Sequence, residues 1–281
     1  MTDLEQLARK ATVLRGLHGG REPLILVNVW DVASARIVES SGFAAVATSS
    51  AGIAFALGYP DGQRITREEM LASVSRIAHA VRVPVTADVE SGYGNTPEAA
   101  AQTARGVIDA GAVGMNLEDA TGEPDHPLTE LPLQLEKIRA VRDTANRLKV
   151  PLVLNARTDV YLLQVGEPAI RYDETARRLI AYRDAGADCV FVPGLRDAAT
   201  IKRLVTDAQC PLNILAGPGS PSVVELYALG VARVSLGSGP MRAALGTLRR
   251  IAQTVKTSGD YELLANAPTH AEMNELLKAR N

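Results

Sequence analysis

The stretch "VPVTADVESGYGNTPEAA" (residues 83–100) contains one complete transition from a buried strand to a helix. Its first residues are mostly apolar and β-branched, which is typical of a strand covered on both faces. Two acids one residue apart, Asp88 and Glu90, follow at once and lead into a glycine-rich turn. Thr96 and Pro97 then supply a helix N-cap and a first-turn proline. This stretch predicts a βα unit that presents two carboxylates at the carboxyl end of its strand.

The same transition recurs along the chain. Further β-branched apolar runs are separated by segments with helix-start residues, and several segments end in a glycine just before the next run. The runs are "LILVNV" (24–29), "FAAVAT" (43–48), "AVGMNL" (112–117), "VPLVLNA" (150–156), "DCVFVP" (188–193), "PLNIL" (211–215) and "VARVSL" (231–236). Together with 83–88 they form eight βα units, which favours an α/β fold of the (β/α)₈ TIM barrel type. A doubly wound open sheet is the alternative, but no run is followed by its GxGxxG pattern.

The composition is globular, since hydrophobic residues make up 46% and charged residues 22% of the 281 residues. We therefore expect residues 1–281 to form a single barrel domain with an N-terminal helix and a C-terminal helical tail at about 258–281. The net charge is −2 without long runs of like charge, which argues against nucleic acid or an anionic membrane as a partner. The sequence lacks a signal peptide and an apolar run of ~20 residues, so we expect a cytoplasmic protein.

In a barrel, the residues that follow the strands gather at one mouth. Asp88 and Glu90 follow the third run, Glu118 follows the fourth and Arg157 follows the fifth. A single acid at a strand end is usually a surface charge. Several crowded carboxylates, however, repel one another unless a cation lies between them. Because oxygen ligands suit Mg²⁺ or Mn²⁺ better than zinc, these acids form a candidate metal site.

Other mouth segments offer groups for an anionic ligand. Arg157 has two interpretations, an ion pair with Asp159 or another mouth acid, and a bidentate clamp on a substrate carboxylate. The turn "TSSAGIAFALGYPDG" (48–62) offers hydroxyl and N–H groups, although such turns are common. The stretch "LAGPGSPS" (215–222) follows the seventh run, where many barrels bind phosphate, but its two prolines each remove a backbone donor.

Taken together, these residues resemble the isocitrate lyase/phosphoenolpyruvate mutase superfamily. The likeness runs from "VNVWDVASARIVESSGF" through "LGYPDG", "ADVESGYGN", "NLEDA" and "NARTD" to "NILAGPG". The ordered set of motifs is specific, whereas each motif alone is not. The resemblance implies a barrel with a Mg²⁺ site at its mouth, in which Asp88 binds the metal and Glu90 and Glu118 hold its waters. It also implies a homo-oligomer, a dimer or tetramer, in which a C-terminal helix is exchanged between subunits.

The resemblance further implies the substrate-binding groups. It places a substrate carboxylate at Ser49, Ser50 and Ala51, and it places Asp61 near the metal waters as a catalytic residue. Arg157 is implied as a residue that binds the substrate. Asn213, which lies in the "NILAGPG" motif, is implied as a further substrate contact.

The loop after the fourth strand departs from the family pattern. Isocitrate-type lyases carry K-[KR]-C-G-H there, with the cysteine as proton donor, whereas this loop reads "EDATGEPDHPLTEL" (118–131). Its Glu123, Asp125 and His126 also differ from the basic and amide residues with which the mutase and phosphonopyruvate-hydrolase branches manage a phosphoryl group. Histidine is the side chain that titrates nearest to neutral pH, so His126 is the candidate proton donor. The alternative is that these three residues are solvated charges on a mobile lid.

These inferences predict a Mg²⁺-dependent enzyme, with Mn²⁺ as the alternative ion. The predicted reaction is cleavage of a carbon–carbon bond in a small 2-oxo or 2-hydroxy di- or tricarboxylic acid through a metal-stabilised enolate. Mutase or hydrolase chemistry on phosphonopyruvate or phosphoenolpyruvate is the alternative within the same fold. A non-catalytic protein that binds oxo acids is the alternative from a different functional class.

Overall fold

The computed structural model describes residues 3–20 and 22–278, in which parallel strands alternate with helices. Each of the eight predicted runs forms a strand, and the first is interrupted at Val27, so that it counts as two. The strands are β1 (Leu24–Leu26), β2 (Asn28–Val29), β3 (Val46–Thr48), β4 (Val85–Asp88), β5 (Gly114–Glu118), β6 (Val153–Arg157), β7 (Cys189–Val192), β8 (Leu212–Leu215) and β9 (Arg233–Ser235).

The strands form one nearly closed barrel. Their order is β1-β9-β8-β7-β6-β5-β4-β3-β2, and every pairing is parallel. The two ends of this order, β1 and β2, are consecutive in the chain and separated only by Val27. The sheet therefore closes on itself through its first strand, which confirms the (β/α)₈ prediction and rules out the open doubly wound sheet.

Helices follow the strands around the barrel. They are α1 (Leu4–Leu17), α2 (Val32–Ser40), α3 (Ser50–Ala56), α4 (Arg67–Ala80), α5 (Pro97–Asp109), α6 (Leu131–Arg147), α7 (Pro168–Asp184), α8 (Ala198–Ala208), α9 (Val223–Ala228), α10 (Gly239–Ser258) and α11 (His270–Leu277). The predicted start signals are confirmed, because Thr66 and Glu69 form a capping box at α4 and Thr96 caps α5 ahead of Pro97. Among the described residues, no helix is both long and apolar enough to cross a membrane.

The interior of the barrel carries polar side chains as well as apolar ones. Asn116 on β5 hydrogen-bonds to Asn155 on the neighbouring β6 and to Arg233 on β9, which is not a neighbour of β5. Such a contact is made only across the inside of the barrel. The amino-terminal end is covered by α1, whose buried Leu14 lies so close to Gly114 that a side chain there would collide with it. The polar interior therefore leads from this closed end towards the open mouth.

The C-terminal segment departs from the barrel wall. Helix α10 buries only Met241 among its 20 residues. Beyond it, a short 3₁₀ turn (Glu262–Leu264) and α11 follow, and Arg36 of α2 donates to the carbonyl of Leu276 at 2.9 Å. The predicted tail at about 258–281 thus contains one helix, and residues 279–281 of that prediction lie outside the described residues, as do residues 1–2 of the predicted N-terminal segment.

Candidate active site

The carboxyl ends of three adjacent strands bring the predicted acids and Arg157 together. Asp88 is the last residue of β4, Glu118 the last of β5 and Arg157 the last of β6, and Glu118 and Arg157 are paired in register. Glu90 follows β4 by two residues, and its side chain is only 3% exposed. Asp61 joins them from the exposed loop after α3, where its charge acts on Glu90.

Asp88 is held by hydrogen bonds from two sides. Its Oδ2 accepts from the backbone N–H and the hydroxyl of Ser50 at 3.0 and 2.8 Å. Its Oδ1 accepts from the Asn116 amide at 3.2 Å. The Asn116 carbonyl oxygen in turn accepts from Asn155 at 2.8 Å and from Arg233 at 3.4 Å. The orientation of the Asp88 carboxylate is therefore set by the barrel interior below it and by the start of α3 beside it.

Arg233 places a positive charge inside the barrel beneath the acids. Its side chain is 1% exposed, and its Nε and Nη1 have no hydrogen-bond partner among the described residues. Burial lowers the pKa of Arg233, and the nearby Asp88 opposes that effect. Because a buried charge is costly unless an opposite charge offsets it, Arg233 favours negative charge at the mouth above it.

The mouth acids destabilise one another's ionised forms. The pKa of Glu90 is raised to about 7, first by burial and then by the charges of Asp88 and Asp61. Burial also raises the pKa of Asp61, with Asp88 as the second cause. The pKa of Glu118 is raised well above its usual range, mainly by burial, although Arg157 opposes the shift. Despite Arg157, the ionised forms of Asp61, Glu90 and Glu118 are therefore disfavoured, and an additional cation would favour them.

This donor set fits a hydrated divalent cation. Within residues 3–20 and 22–278, no three His, Cys, Asp or Glu side chains converge closely enough to ligate one metal ion directly. Mg²⁺ does not require such a cage, because it keeps several waters and takes one or two protein carboxylates. One direct carboxylate ligand, with the other acids acting through water, satisfies this requirement. The all-oxygen chemistry disfavours zinc.

Arg157 forms ion pairs with Glu118 and Asp159, as the structural interpretation of this residue predicted. Its Nη1 lies 2.7 Å from Oε2 of Glu118, and its Nε lies 2.7 Å from Oδ1 of Asp159. The guanidinium also lies 5.7 Å from the ring centroid of Phe191. Among the described residues these ion pairs engage Nη1 and Nε, which leaves Nη2 for a further acceptor while the side chain is held in place. The substrate-clamp role of Arg157 stays a prediction.

The predicted carboxylate-binding turn is buried beside Asp88. Ser49, Ser50 and Ala51 are all buried where β3 leads into α3. The Ser49 hydroxyl accepts from the Gly52 N–H at 3.1 Å, and the Ser50 donors are bound to Asp88. The structure thus brings this turn next to the acids.

Asn213 lies on β8 inside the barrel rather than in the rim loops. Its side chain is fully buried, and its Oδ1 accepts from the Ser235 hydroxyl at 3.3 Å. Its Nδ2 has no partner among the described residues. No hydrogen bond joins Asn213 to the mouth acids within the described residues, so its substrate contact also stays a prediction.

His126 is not brought to the acids in this structure. The loop that carries it is closed by an antiparallel bridge between Ala120 and Leu128. The His126 carbonyl accepts from the Thr121 hydroxyl, while its imidazole lies on an exposed stretch and lines a small cavity with Asn95. Its role as proton donor stays a prediction.

Sequence reasoning missed three side chains that shape the site. Asn116 and Arg233 lie within strand runs, where only the interruption of an apolar run by a polar residue signals them. Lys137 lies on α6 and is 1% exposed. Its position in the helix could have indicated burial, because Lys137 lies three residues after Gln134 and next to Ile138, and both of these are buried.

Known proteins share the fold and much of the sequence of this chain. A structure of a putative lyase/mutase from Burkholderia cenocepacia is 39% identical, covers 98% of both chains and has a TM-score of 0.92. A structure of oxaloacetate acetylhydrolase in complex with oxalate is 28% identical, covers 96% of this chain and 94% of that one, and has a TM-score of 0.84. An oxaloacetate decarboxylase of Pseudomonas aeruginosa is 31% identical over 78% of this chain and 75% of its own length.

The model of the family described as phosphoenolpyruvate phosphomutase matches residues 14–256, which include every strand and all the mouth acids. The chain therefore belongs to the phosphoenolpyruvate phosphomutase family, within the isocitrate lyase/phosphoenolpyruvate mutase superfamily that its motifs resemble.

Proposed function

We propose that this protein is a Mg²⁺-dependent lyase that cleaves a carbon–carbon bond of a small 2-oxo or 2-hydroxy di- or tricarboxylic acid. The observation that carries the proposal is the cluster of Asp61, Asp88, Glu90 and Glu118. Three of these acids have raised pKa values, and the fourth is fixed by hydrogen bonds. A protein gains little from such mutual repulsion unless a cation offsets it.

Asp88 is the proposed direct ligand, because hydrogen bonds already fix its orientation at the centre of the group. Glu90 and Glu118 would hold metal-bound waters, and Asp61 would lie near those waters. The bound ion would neutralise the negative charge that develops on the substrate's oxo oxygen. Mn²⁺ has the same ligand preferences and is the alternative ion.

The remaining mouth groups suit a substrate with carboxylates. Arg157 has Nη2 available beside the acids and is held in place by Glu118 and Asp159. The turn Ser49–Ala51 supplies small side chains and N–H groups next to Asp88. Asn213 supplies an amide donor inside the barrel that has no partner among the described residues. We assign these groups to binding and orienting the substrate carboxylates.

Two of the similar proteins described above support this substrate class. One is described as an oxaloacetate decarboxylase and the other as an oxaloacetate acetylhydrolase in complex with oxalate. Both names specify a small oxo dicarboxylate, and both reactions break a carbon–carbon bond. A 2-oxo acid of this kind presents a carboxylate and an oxo oxygen that one metal ion can bind together.

Phosphonopyruvate or phosphoenolpyruvate chemistry is the second candidate, and the family match favours keeping it. The loop after β5 argues against it, since Glu123 and Asp125 would repel a migrating phosphoryl group. A non-catalytic protein that binds oxo acids would retain the mouth acids but show no turnover. The assay below separates these three outcomes.

We also propose a dimer or tetramer built through α10. This helix is 20 residues long and leaves apolar side chains exposed, including Leu245 at 45% and Leu248 at 59%. An amphipathic helix with an uncovered apolar face is stabilised by burying that face against another chain. A second copy of this protein is the proposed partner. The resemblance implies a homo-oligomer that exchanges the tail at about 258–281, and the contact through α10 is proposed from its exposed apolar face.

The test is turnover with oxaloacetate, isocitrate, 2-methylisocitrate and phosphonopyruvate, each with Mg²⁺ and with excess EDTA. We expect one of the three carbon acids to be consumed in the presence of Mg²⁺, and we expect Asp88→Ala to abolish that activity while the protein stays folded. Turnover of phosphonopyruvate alone would establish the second candidate. Turnover that persists in EDTA would contradict the metal assignment, and tight oxo-acid binding without turnover would establish the non-catalytic alternative.

A further inference from the structure

The turn that follows β4 has an unusual backbone. Glu90, Gly92 and Tyr93 have φ values of 51°, 93° and 56°, and Gly94 has a φ of 154°. Glycine adopts such angles freely, but Glu90 and Tyr93 are L-residues with side chains. A non-glycine residue in this region is strained and persists only where surrounding contacts hold it. The turn must therefore be fixed by its neighbours.

Side chains from three successive helices fix it. Lys137 of α6 donates to the Ser91 carbonyl at 2.6 Å, and Thr103 of α5 donates to the Gly92 carbonyl at 2.7 Å. Arg67 of α4 donates to the Tyr93 carbonyl at 2.8 Å. Three consecutive carbonyls thus each accept from a different helix. We call these donors, Arg67, Thr103 and Lys137, the turn clamp.

Lys137 is the costliest member of the clamp. Its side chain is 1% exposed, and burial lowers its pKa to about 8, although the charges of Glu118 and Asp119 oppose that shift. A methionine would fill the same space without the cost of burying an ammonium group. Its hydrogen bond to Ser91 gives the buried ammonium a partner, so the contact with the turn accounts for a charged residue at this position.

The clamped turn connects to two of the mouth acids. It carries Glu90 itself, whose Oε2 accepts from the Gln63 N–H at 2.5 Å. The Gln63 amide also donates to the Ser91 hydroxyl at 2.6 Å. Asp61 lies two residues before Gln63 on the same loop. A shift of the turn would therefore move Glu90 and loosen the loop that presents Asp61.

We propose that Lys137, with Thr103 and Arg67, is a positioning residue for the metal site. By holding the carbonyls of residues 91–93, the turn clamp keeps the left-handed backbone that directs the Glu90 carboxylate into the mouth. The clamp itself is a matter of geometry, and its effect on metal binding rests on the proposed function. None of the three side chains is assigned a contact with the metal or the substrate.

The test compares matched pairs of variants. Thr103→Val and Thr144→Val each remove a buried hydroxyl from a helix. The Thr144 hydroxyl bonds within its own helix, where it donates to the Ala140 carbonyl at 2.9 Å and accepts from Arg147 at 3.3 Å. Lys137→Met is paired with Lys10→Met, which removes a half-buried lysine of α1 at the closed end of the barrel. All variants are first checked for wild-type circular dichroism, and if Lys137→Met fails to fold, the threonine pair decides.

Two measurements are made on each variant. Hydrogen exchange of the backbone amides in residues 89–95 is followed in the metal-free protein, and we expect it to be at least tenfold faster in Thr103→Val and Lys137→Met and unchanged in the controls. The Mn²⁺ dissociation constant is measured by electron paramagnetic resonance. We expect it to rise roughly tenfold in Lys137→Met, to rise also in Thr103→Val and to stay unchanged in the controls, since Glu90 no longer has a fixed position in the clamp variants.

The outcomes separate the clamp from the proposed function. Unchanged exchange in both clamp variants would overturn the clamp. Faster exchange with unchanged Mn²⁺ affinity would show a purely structural contact and overturn the positioning role. A wild-type protein that binds no Mn²⁺ would instead contradict the proposed function, and the exchange rates would still confirm or overturn the clamp.

Discussion

Glu90 combines burial, like-charge neighbours and a left-handed backbone at one residue. In the metal-free protein its pKa is raised to about 7, whereas an exposed glutamate titrates near 4.5. An acid whose folded pKa is raised contributes stability at low pH, and that contribution is lost as pH rises from about 4.5 through about 7. The metal-free site favours the protonated form of Glu90, whereas a bound divalent cation would favour the ionised carboxylate.

We therefore expect the affinity for Mn²⁺ to increase as pH rises through about 7. In EDTA, the free energy of unfolding should fall between pH 5 and pH 8, and Glu90→Gln should flatten both dependences. Mn²⁺ titrations and urea unfolding at the two pH values measure these effects. Equal slopes in the wild type and in Glu90→Gln would show that another group carries the pH dependence.

Arg157 provides the second prediction at this scale. Lysine can replace only one of its two ion pairs and offers no planar fork, so Arg157→Lys would leave Glu118 or Asp159 uncompensated in a buried site. We expect kcat/KM to fall roughly 10²-fold, which corresponds to about 3 kcal/mol of transition-state binding. Arg142→Lys is the control, because Arg142 makes a comparable network with Asp188 away from the mouth acids. A kcat/KM of Arg157→Lys within threefold of the wild type would contradict the proposal that Arg157 binds a substrate carboxylate.

At the scale of elements, the loop between β5 and α6 carries the proposed general acid. His126 is exposed on this loop, so the loop would have to close over the mouth for the imidazole to reach a substrate. If His126 is the general acid, His126→Gln should lower kcat roughly 10²-fold, leave KM nearly unchanged and remove the basic limb of the pH–rate profile. A variant that keeps its rate and that limb would show that solvent supplies the proton.

The strands were predictable from sequence because each is a β-branched apolar run that ends at a change of polarity. Asp88, Glu118 and Arg157 stand at those changes, so their meeting at the mouth followed from barrel topology alone. The break of the first strand at Val27 was not predictable, since the one polar residue of "LILVNV" is Asn28, which lies in β2 after the break. Strand boundaries also shifted, and β5 begins at Gly114 rather than at residue 112.

Contacts between distant residues account for what sequence reasoning missed. The bond from Ser50 to Asp88 spans 38 residues, and that from Arg233 to Asn116 spans 117. Neither follows from local pattern, because side-chain geometry decides them. Lys137 was missed for a related reason, since a lysine in "LEKIRAV" reads as part of a solvated helix face.

At the scale of the whole molecule, α10 sets the expected assembly. We expect the wild-type protein to be a dimer or tetramer and the double variant Leu245→Asp, Leu248→Asp to be a folded species of lower mass. Val13→Asp is the control, because Val13 is 53% exposed on α1 and lies outside the proposed interface. Size-exclusion chromatography with light scattering measures the mass. A wild-type monomer, or an unchanged mass in the double variant, would contradict assembly through α10.

The central claim is that the mouth acids hold one divalent cation that a small oxo-acid ligand shares. Electron paramagnetic resonance of Mn²⁺, with and without oxalate, tests it directly because the signal reports free ion without requiring turnover. We expect one Mn²⁺ per chain, at least tenfold tighter binding when oxalate is present, and loss of both effects in Asp88→Ala. Absence of stoichiometric Mn²⁺ binding by the wild type, or wild-type affinity in Asp88→Ala, would contradict it.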